Sequence, residues 1–227
     1  MMDTGLSGFL KKLALVSLPV QQIDKISNDT YVLTIERFSD FLPGQVVGLT
    51  IGTDIPPRLY SICSSPDEEN LSILFNVKPD GILSPRLSQI NPGDPVRVSA
   101  PFGAFLGDHQ PAWWIASGTG VAPFRSMARA GLHNGKKLIH GGRFADNFYF
   151  QHEFVSLLGD QYIRCCSQEK ALGCYEGRLT QWLREQIQIP LNQMYYLCGS
   201  SEMVVEVRDI LISKGVGIEK IMSEIYF

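Results

Sequence analysis

The sequence has 227 residues, enough for one large domain or two modest ones at roughly 150 residues a domain. Apolar residues make up 44% and charged residues 19%, a globular balance that excludes a disordered, collagen-like or coiled-coil chain. Net charge is −3, and no Lys/Arg cluster exceeds the pairs Lys11-Lys12 and Lys136-Lys137, so no nucleic-acid partner is expected.

The first half reads as short strands broken by turn chemistry. Tyr31 to Ile35 precedes Pro43-Gly44, Val46 to Ile51 precedes Pro56-Pro57, and Leu71 to Val77 runs into Pro79-Asp80-Gly81. A helical turn or two fits around Ser84 to Gln89, and Asn91-Pro92-Gly93-Asp94 leads into Val96 to Val98. This is an antiparallel barrel or sandwich. The preceding Phe9, Leu10, Leu13 and Leu15 suit either a docking segment or an edge strand.

From residue 112 the period changes. Trp113-Trp114-Ile115-Ala116 is an apolar strand, followed by further strands at Leu138-Ile139, Tyr162 to Cys166 and Met194 to Cys198. Between them apolar residues recur at helical spacing: Phe124, Met127 and Gly131; Phe150, Phe154, Leu157 and Leu158; Leu179, Trp182, Leu183 and Ile187; then Val204, Val207 and Leu211. Alternating strand and helix predicts a parallel sheet covered on both faces. The domains are placed at 1–107 and 108–227.

Five cysteines (Cys63, Cys165, Cys166, Cys174 and Cys198) show no C-x-x-C and no four-ligand spacing, so neither an iron–sulfur cluster nor a metal site is expected. No apolar run approaches the ~20 residues of a membrane span, and Leu13 to Val20 does not read as a signal peptide. A cytoplasmic protein with reduced thiols is expected.

The chemistry-bearing segments lie at turns. Ser117-Gly118-Thr119-Gly120-Val121-Ala122-Pro123 follows the Trp113 strand and opens a helix. Glycines there let backbone N–H groups approach a pyrophosphate, and proline suits the first helical turn. Arg58-Leu59-Tyr60-Ser61 alternates, placing Arg58 and Tyr60 on one side of a strand, a guanidinium for phosphate beside a flat ring. Asp80-Gly81-Ile82-Leu83-Ser84 suits a second phosphate cradle or a plain helix cap. Tyr196-Leu197-Cys198-Gly199 ends a strand at the sheet edge where ligands bind in such folds. The closing Glu224-Ile225-Tyr226-Phe227 needs packing against core or a flat cofactor if it is not to fray.

In this order, over nearly the whole chain, these segments resemble the ferredoxin–NADP reductase family, most closely its bacterial ferredoxin/flavodoxin reductase branch. The resemblance rests on Arg58 to Ser61, Pro79 to Leu87, Gly118 to Pro123, Tyr196 to Gly199 and the tail from Glu224. It implies an N-terminal FAD-binding antiparallel β-barrel, then an α/β parallel-sheet domain that binds NADP(H), with NADH possible. Arg58 and Ser84 would hold the FAD pyrophosphate, Tyr60 would stack on the flavin, and Ser61 would sit near its reactive nitrogen. Leu59, Asn76, Val77, Gly81 and Leu83 complete the implied FAD set, with Phe227 as a terminal aromatic near it. Gly118, Thr119, Gly120, Val121 and Pro123 would bind the NADP pyrophosphate. Cys198, Gly199, Met203 and Glu224 would line the nicotinamide site, and Tyr226 would cover the flavin until the nicotinamide displaces it.

The implied activity is hydride exchange between NADPH and FAD, with single electrons passed to a ferredoxin or flavodoxin. The implied catalytic set is Ser61, Cys198, Glu224 and Tyr226. One departure concerns the 2′-phosphate. The NADP-selective branch carries an Arg after the Ser of its receiving loop, where this chain has Ser167-Gln168-Glu169. Arg143 and Arg178 stand in matching places, so an NADPH preference that persists in weakened form is expected. The rivals are a free-flavin reductase and the stand-alone reductase component of an oxygenase. A monomer is expected.

Overall fold

The structure, a computed structural model, describes residues 8–10 and 12–226, so Phe227 lies outside the described residues. The chain divides into two compact units, Met1–Leu106 and Gly107–Phe227.

The first unit is a nearly closed antiparallel barrel of β1 (Leu15–Lys25), β2 (Thr30–Glu36), β3 (Val46–Thr50), β4 (Arg58–Ser61), β5 (Asn70–Asn76) and β6 (Pro95–Ser99), with a short helix α1 (Ser84–Leu87) after β5. The spatial order is β4-β3-β6-β1-β2-β5, and an Ile62–Ile73 bridge draws the two edges together. Alternate residues fill the interior: Leu33 and Ile35 from β2, Val47 and Leu49 from β3, Leu71 and Ile73 from β5, Val96 and Val98 from β6.

Leu15 does not begin an edge strand. It opens β1, which lies between β6 and β2 and changes partner at Pro19. Leu15 to Pro19 pair with β6, and from Val20 onward the strand pairs with β2, with an irregularity between Val20 and Gln22. A proline inside a barrel strand is tolerated there because its missing N–H falls where one ladder hands over to the other. The extra residue bends the strand around the barrel corner. Phe9 packs edge-on against Phe102, with ring centroids 5.6 Å apart.

The second unit is a six-stranded parallel sheet, in the order β10-β9-β8-β7-β11-β12. Its strands are β7 (Ala112–Ser117), β8 (Lys136–Gly142), β9 (Tyr162–Cys166), β10 (Tyr175–Glu176), β11 (Met194–Ser200) and β12 (Ile221–Tyr226). The helices are α2 (Ala122–Met127), α3 (Gln151–Leu158), α4 (Leu179–Glu185) and α5 (Ser201–Ser213). From β7 the chain winds outward through β8, β9 and β10, then returns to the other side of β7 with β11 and β12. The gap between β7 and β11 is therefore the point where strand order reverses.

Both faces of the sheet are covered. Trp113 and Ile115 join Leu179, Leu183, Val204, Val207 and Leu211 on one side. On the other, Trp114 stacks on Phe124 with centroids 5.4 Å apart, and Phe154 packs on Tyr162. The helices are shorter than the apolar spacing predicts. Gly131, with φ +81°, lies in the terminating turn after α2, and Phe150 precedes α3 in a left-handed conformation. Ile187 lies beyond α4 and is 97% exposed. The C-terminal tail is held as β12, hydrogen-bonded to β11 from Ile221 to Tyr226.

Candidate functional site

The carboxyl ends of β7 and β11 meet closely. Ala116 lies opposite Cys198 in the ladder, and the Ser200 N–H donates to Ser117 Oγ at 3.2 Å. Both strand ends need glycine. A Cβ on Gly120 would land on the Cys198 carbonyl and within 2.8 Å of the Gly199 Cα. A Cβ on Gly199, whose φ is +145°, would strike Ser117 Oγ and come within 3.0 Å of the Met203 Cε. Gly118 is in the left-handed region at φ +53°, turning the chain from strand into a single tight turn, Gly118–Val121, that leads to α2. Pro123 sits in the first turn of α2. Backbone therefore approaches backbone, and the Gly118-Thr119-Gly120 peptides line the sheet edge at the reversal of strand order, where open α/β sheets bind ligands.

Cys198, Glu224 and Tyr226 gather beside this turn. Cys198 is fully buried and lies opposite Glu224 in the β11–β12 ladder, with Ser200 opposite Tyr226. Burial pushes the Cys198 thiol well up, the Glu224 carboxylate adds to this, and a hydrogen bond from Tyr226 acts in the opposite direction. Cys198 is therefore a neutral thiol at neutral pH rather than a thiolate nucleophile. Ser200 caps α5, accepting from the Met203 N–H at 3.4 Å, which sets Met203 against Gly199.

Two residues that sequence reasoning passed over stand directly behind the glycine turn. His140 on β8 is fully buried. Its Nε2 lies 3.2 Å from the Gly118 carbonyl, and its Nδ1 lies 3.1 Å from the Tyr162 hydroxyl. Burial pulls the imidazole down to about 4, partly opposed by the Gly118 hydrogen bond, so the ring is neutral near pH 7. A carbonyl only accepts, so Nε2 carries the hydrogen and Nδ1 accepts from Tyr162. The available signal was a lone histidine at the end of the apolar run Leu138-Ile139.

Arg143, Ser167 and Arg178 collect at the ends of β8, β9 and β10. Ser167 and Gln168 donate their N–H groups to the Gly142 and Arg143 carbonyls at 3.1 and 2.9 Å, and Gly177 donates to Cys166 at 2.8 Å. Arg143, Arg178, Gln168 and Glu169 are exposed. The Glu169 carboxylate accepts from the Ala145 N–H.

In the first unit, Arg58 is exposed and makes no ion pair among the described residues, while Ser61 is buried. Leu59 between them is 36% exposed. Tyr60 sets its ring edge-on to Phe75, with centroids 6.2 Å apart, and Phe75 in turn stacks on Tyr31. Burial raises the Tyr60 hydroxyl, with Arg58 acting in the opposite direction, so the phenol stays protonated. The Asp80–Ser84 segment is a folded loop rather than a plain helix cap. The Gly81 N–H donates to the Lys78 carbonyl at 2.8 Å, and the Lys78 N–H donates to Ser84 Oγ at 2.9 Å. A Cβ on Gly81 would meet the Lys78 carbonyl at 3.0 Å and Ser84 Oγ at 3.3 Å. Because it accepts from Lys78, the Ser84 hydroxyl keeps its hydrogen to donate. The buried Leu83 side chain anchors the loop in the barrel core. Asn76 ends β5 opposite Thr30, and Val77 donates to the Asp29 carbonyl.

No helix among the described residues is long and apolar enough to cross a membrane, and the five cysteines are free thiols.

Comparison with known proteins agrees with this two-part construction. Residues 17–106 match the oxidoreductase FAD-binding domain and residues 114–209 the oxidoreductase NAD-binding domain. A ferredoxin NADP+ reductase from Neisseria gonorrhoeae with bound FAD and NADP superposes with a TM-score of 0.85 at 18% identity, covering 94% of this chain and 99% of that one. A barrel joined to a parallel sheet in this order is the fold of the flavin-dependent, pyridine-nucleotide oxidoreductases. At the level of sequence, the flavodoxin/ferredoxin–NADP reductase of Escherichia coli (strain K12) is 32% identical over 213 residues, 81% of this chain and 85% of that protein. The chain belongs to the flavodoxin/ferredoxin–NADP reductase family. It is also 27% identical to the toluate 1,2-dioxygenase electron transfer component of Pseudomonas putida, over 87% of this chain and 63% of that one.

Two outcomes follow from the packed sheet edge. Gly120→Ala should destabilise the protein by about 1–3 kcal/mol, the usual cost of overpacking, because the methyl group meets backbone rather than a movable side chain; a denaturant melt measures it. His140 binds its proton in the folded state only near pH 4, whereas an unfolded histidine does so near 6.5. Stability is thus complete above pH 6.5 and falls as pH drops from 6.5 towards 4. The loss is about 3 kcal/mol from this group, and it should be absent from the pH series of His140→Phe.

Proposed function

We propose that the protein exchanges electrons between NADPH and a ferredoxin or flavodoxin through a bound FAD. The observation that carries this reading is the meeting of the Gly118–Gly120 turn with Gly199 beside Cys198, Glu224 and Tyr226. It sets peptide groups free of side chains next to a cluster of uncharged and acidic side chains.

The residues fit the groups assigned to them. Gly118, Thr119, Gly120 and Val121 are assigned to a pyrophosphate through their peptide N–H groups; a Cβ on Gly118 would meet nothing within 4 Å, whereas the bare Gly120 and Gly199 let the two strand ends close on each other. Cys198, Gly199, Met203 and Glu224 bound the space assigned to the nicotinamide. Cys198 and Glu224 orient the ring by contact and hydrogen bonding, since a buried neutral thiol is poorly suited to nucleophilic attack. In the barrel, Arg58 and the Ser84 hydroxyl are assigned to the FAD pyrophosphate, with Gly81, also assigned to FAD, letting the loop close on Lys78 and Ser84. Leu59, Tyr60, Ser61, Asn76, Val77 and Leu83 are assigned to the flavin and its ribityl chain, and Phe227 to the same cofactor. A bound FAD supplies the conversion of a two-electron hydride into single electrons; the protein supplies orientation and electrostatics.

Arg143 and Arg178, both exposed and free of side-chain partners among the described residues, are assigned to the 2′-phosphate together with Ser167. Gln168 and Glu169 at the same corner add no positive charge, so the preference for NADPH over NADH is weaker than a third arginine would give. A second reading, the stand-alone reductase component of an oxygenase, is favoured by the likeness to the Pseudomonas protein. The two differ in the carrier they reduce. The reading also takes the protein as cytoplasmic and monomeric, with divisions at 1–107 and 108–227.

The purified protein, passed through a desalting column, should keep a flavin absorption spectrum and release FAD on denaturation. A colourless protein that oxidises NADPH only when free flavin is added would replace this reading with that of a free-flavin reductase. Tyr226→Ser should tighten nicotinamide nucleotide binding severalfold, because a competitor for the flavin face is removed; titration with NADP+ reads it, and unchanged affinity removes the assigned role.

A further inference from the structure

His140 and Tyr162 lie outside every role assigned above, yet their hydrogen bonds end on the glycine turn. His140 sits on β8 opposite Ala116 of β7, on the sheet face away from Trp113 and Ile115. Its ring is packed edge-on against Phe148, with centroids 5.4 Å apart at 85°. Tyr162 at the start of β9 is itself buried against Phe154. The ring is therefore fixed on two sides by packing and at both nitrogens by hydrogen bonds, 3.1 Å to Tyr162 and 3.2 Å to Gly118.

The geometry of one peptide then matters. In a trans planar peptide the C=O and N–H point in opposite directions. The Gly118 carbonyl is turned towards the buried His140, so the N–H of the same peptide, that of Thr119, is turned away from the sheet interior. Without the imidazole, the half-buried carbonyl would lose this side-chain donor, at a cost that favours rotation of the peptide towards water. Gly118, with φ +53°, has the conformational freedom to rotate, and the imidazole adds a hold from outside the turn to the bonds of the Gly118–Val121 turn itself.

We infer that His140, oriented by Tyr162, is a positioning residue of the nucleotide site: by holding the Gly118 carbonyl inward it aims the Thr119 N–H outward as a donor to the nucleotide pyrophosphate. This rests on the nucleotide reading of the glycine turn for its ligand, but the tautomer and the direction of the peptide stand apart from it. His140 touches no cofactor. Its contribution is to binding rather than to the chemical step.

The test combines binding with a direct observation of the ring. In the flavin-loaded protein, NADP+ titration of His140→Phe, which keeps the aromatic packing on Phe148, should give a Kd about tenfold higher than that of the parent. KM for NADPH should rise in parallel while kcat is held. His140→Gln restores an N–H donor and should recover most of the affinity, which loss of packing alone would not predict. Tyr162→Phe should fall between. Nitrogen-15 NMR of the histidine rings in the parent should find His140 neutral with its hydrogen on Nε2, and this measurement needs no nucleotide and no variant. Unchanged Kd in both His140→Phe and Tyr162→Phe overturns the inference, as does a hydrogen on Nδ1 instead of Nε2. A parent protein that binds no NADP+ but carries the Nε2 tautomer overturns the nucleotide assignment and the pyrophosphate role together, while leaving the peptide orientation standing. If His140→Phe fails to fold, Tyr162→Phe and the tautomer decide.

Discussion

At the edge of the parallel sheet, the Gly120 backbone lies against the peptide joining Cys198 to Gly199, with no side chain between the two segments. Much of the second unit is arranged around that contact. β7 and β11 must be neighbours, so the chain has to run out through β8, β9 and β10 before it returns. Ser117 must present its hydroxyl to the Ser200 N–H, and Ser200 must in turn cap α5. A Cβ at either glycine would drive the two strand ends apart. The Gly118 turn would then lose the floor against which its peptides are aligned. The requirement is steric, and it holds whatever ligand the edge receives.

The sheet beneath this edge solves a second problem, that of polar groups in an apolar layer. His140, with no exposed surface, is acceptable because each ring nitrogen has a partner, one donating and one accepting. Lys136, 2% exposed, directs its ammonium to the Asp108 and Gln110 carbonyls. Burial lowers its affinity for the proton, with Asp108 acting in the opposite direction. Satisfied in this way, buried polar groups fix the orientation of the backbone segments they reach. His140 does so at the carboxyl ends of the strands, on Gly118, and Lys136 at the opposite edge, where the chain enters β7.

How much of this the sequence disclosed follows from the kind of interaction involved. Strands such as Trp113 to Ala116 and Tyr31 to Ile35 were legible because local apolar runs and flanking Gly or Pro encode them. The glycine turn was legible because strand, turn and helix follow one another within ten residues. β1 was not, because its identity depends on two distant partners exchanged at Pro19. Nothing local distinguishes that proline from one that ends an edge strand. β12 was invisible for a similar reason: Ile221 to Tyr226 become a strand only by pairing with β11. Ile187 was misread because apolar spacing continued past the point where α4 ends. His140 was missed because a histidine at the end of an apolar strand reads as a filled core position until the structure reveals what its nitrogens meet.

The contrast between the packed edge and the exposed corner bears on how such a site changes. At the β7–β11 junction Gly120 and Gly199 are packed directly against the opposite strand end, so substitutions at these two positions carry a cost in folding. At the ends of β8, β9 and β10 the arrangement is held by main-chain bonds, Ser167 to Gly142, Gln168 to Arg143 and Gly177 to Cys166, while the side chains of Arg143, Gln168 and Arg178 project into solvent. Exposed substitutions of this kind usually alter stability by less than about 0.5 kcal/mol. Charge at the corner can therefore be varied residue by residue without disturbing the Gly118–Val121 turn. Gln168, in the loop assigned to the 2′-phosphate, is tolerated by the fold because the loop's geometry is carried by peptide groups and by the Glu169 carboxylate on the Ala145 N–H rather than by the Gln168 side chain.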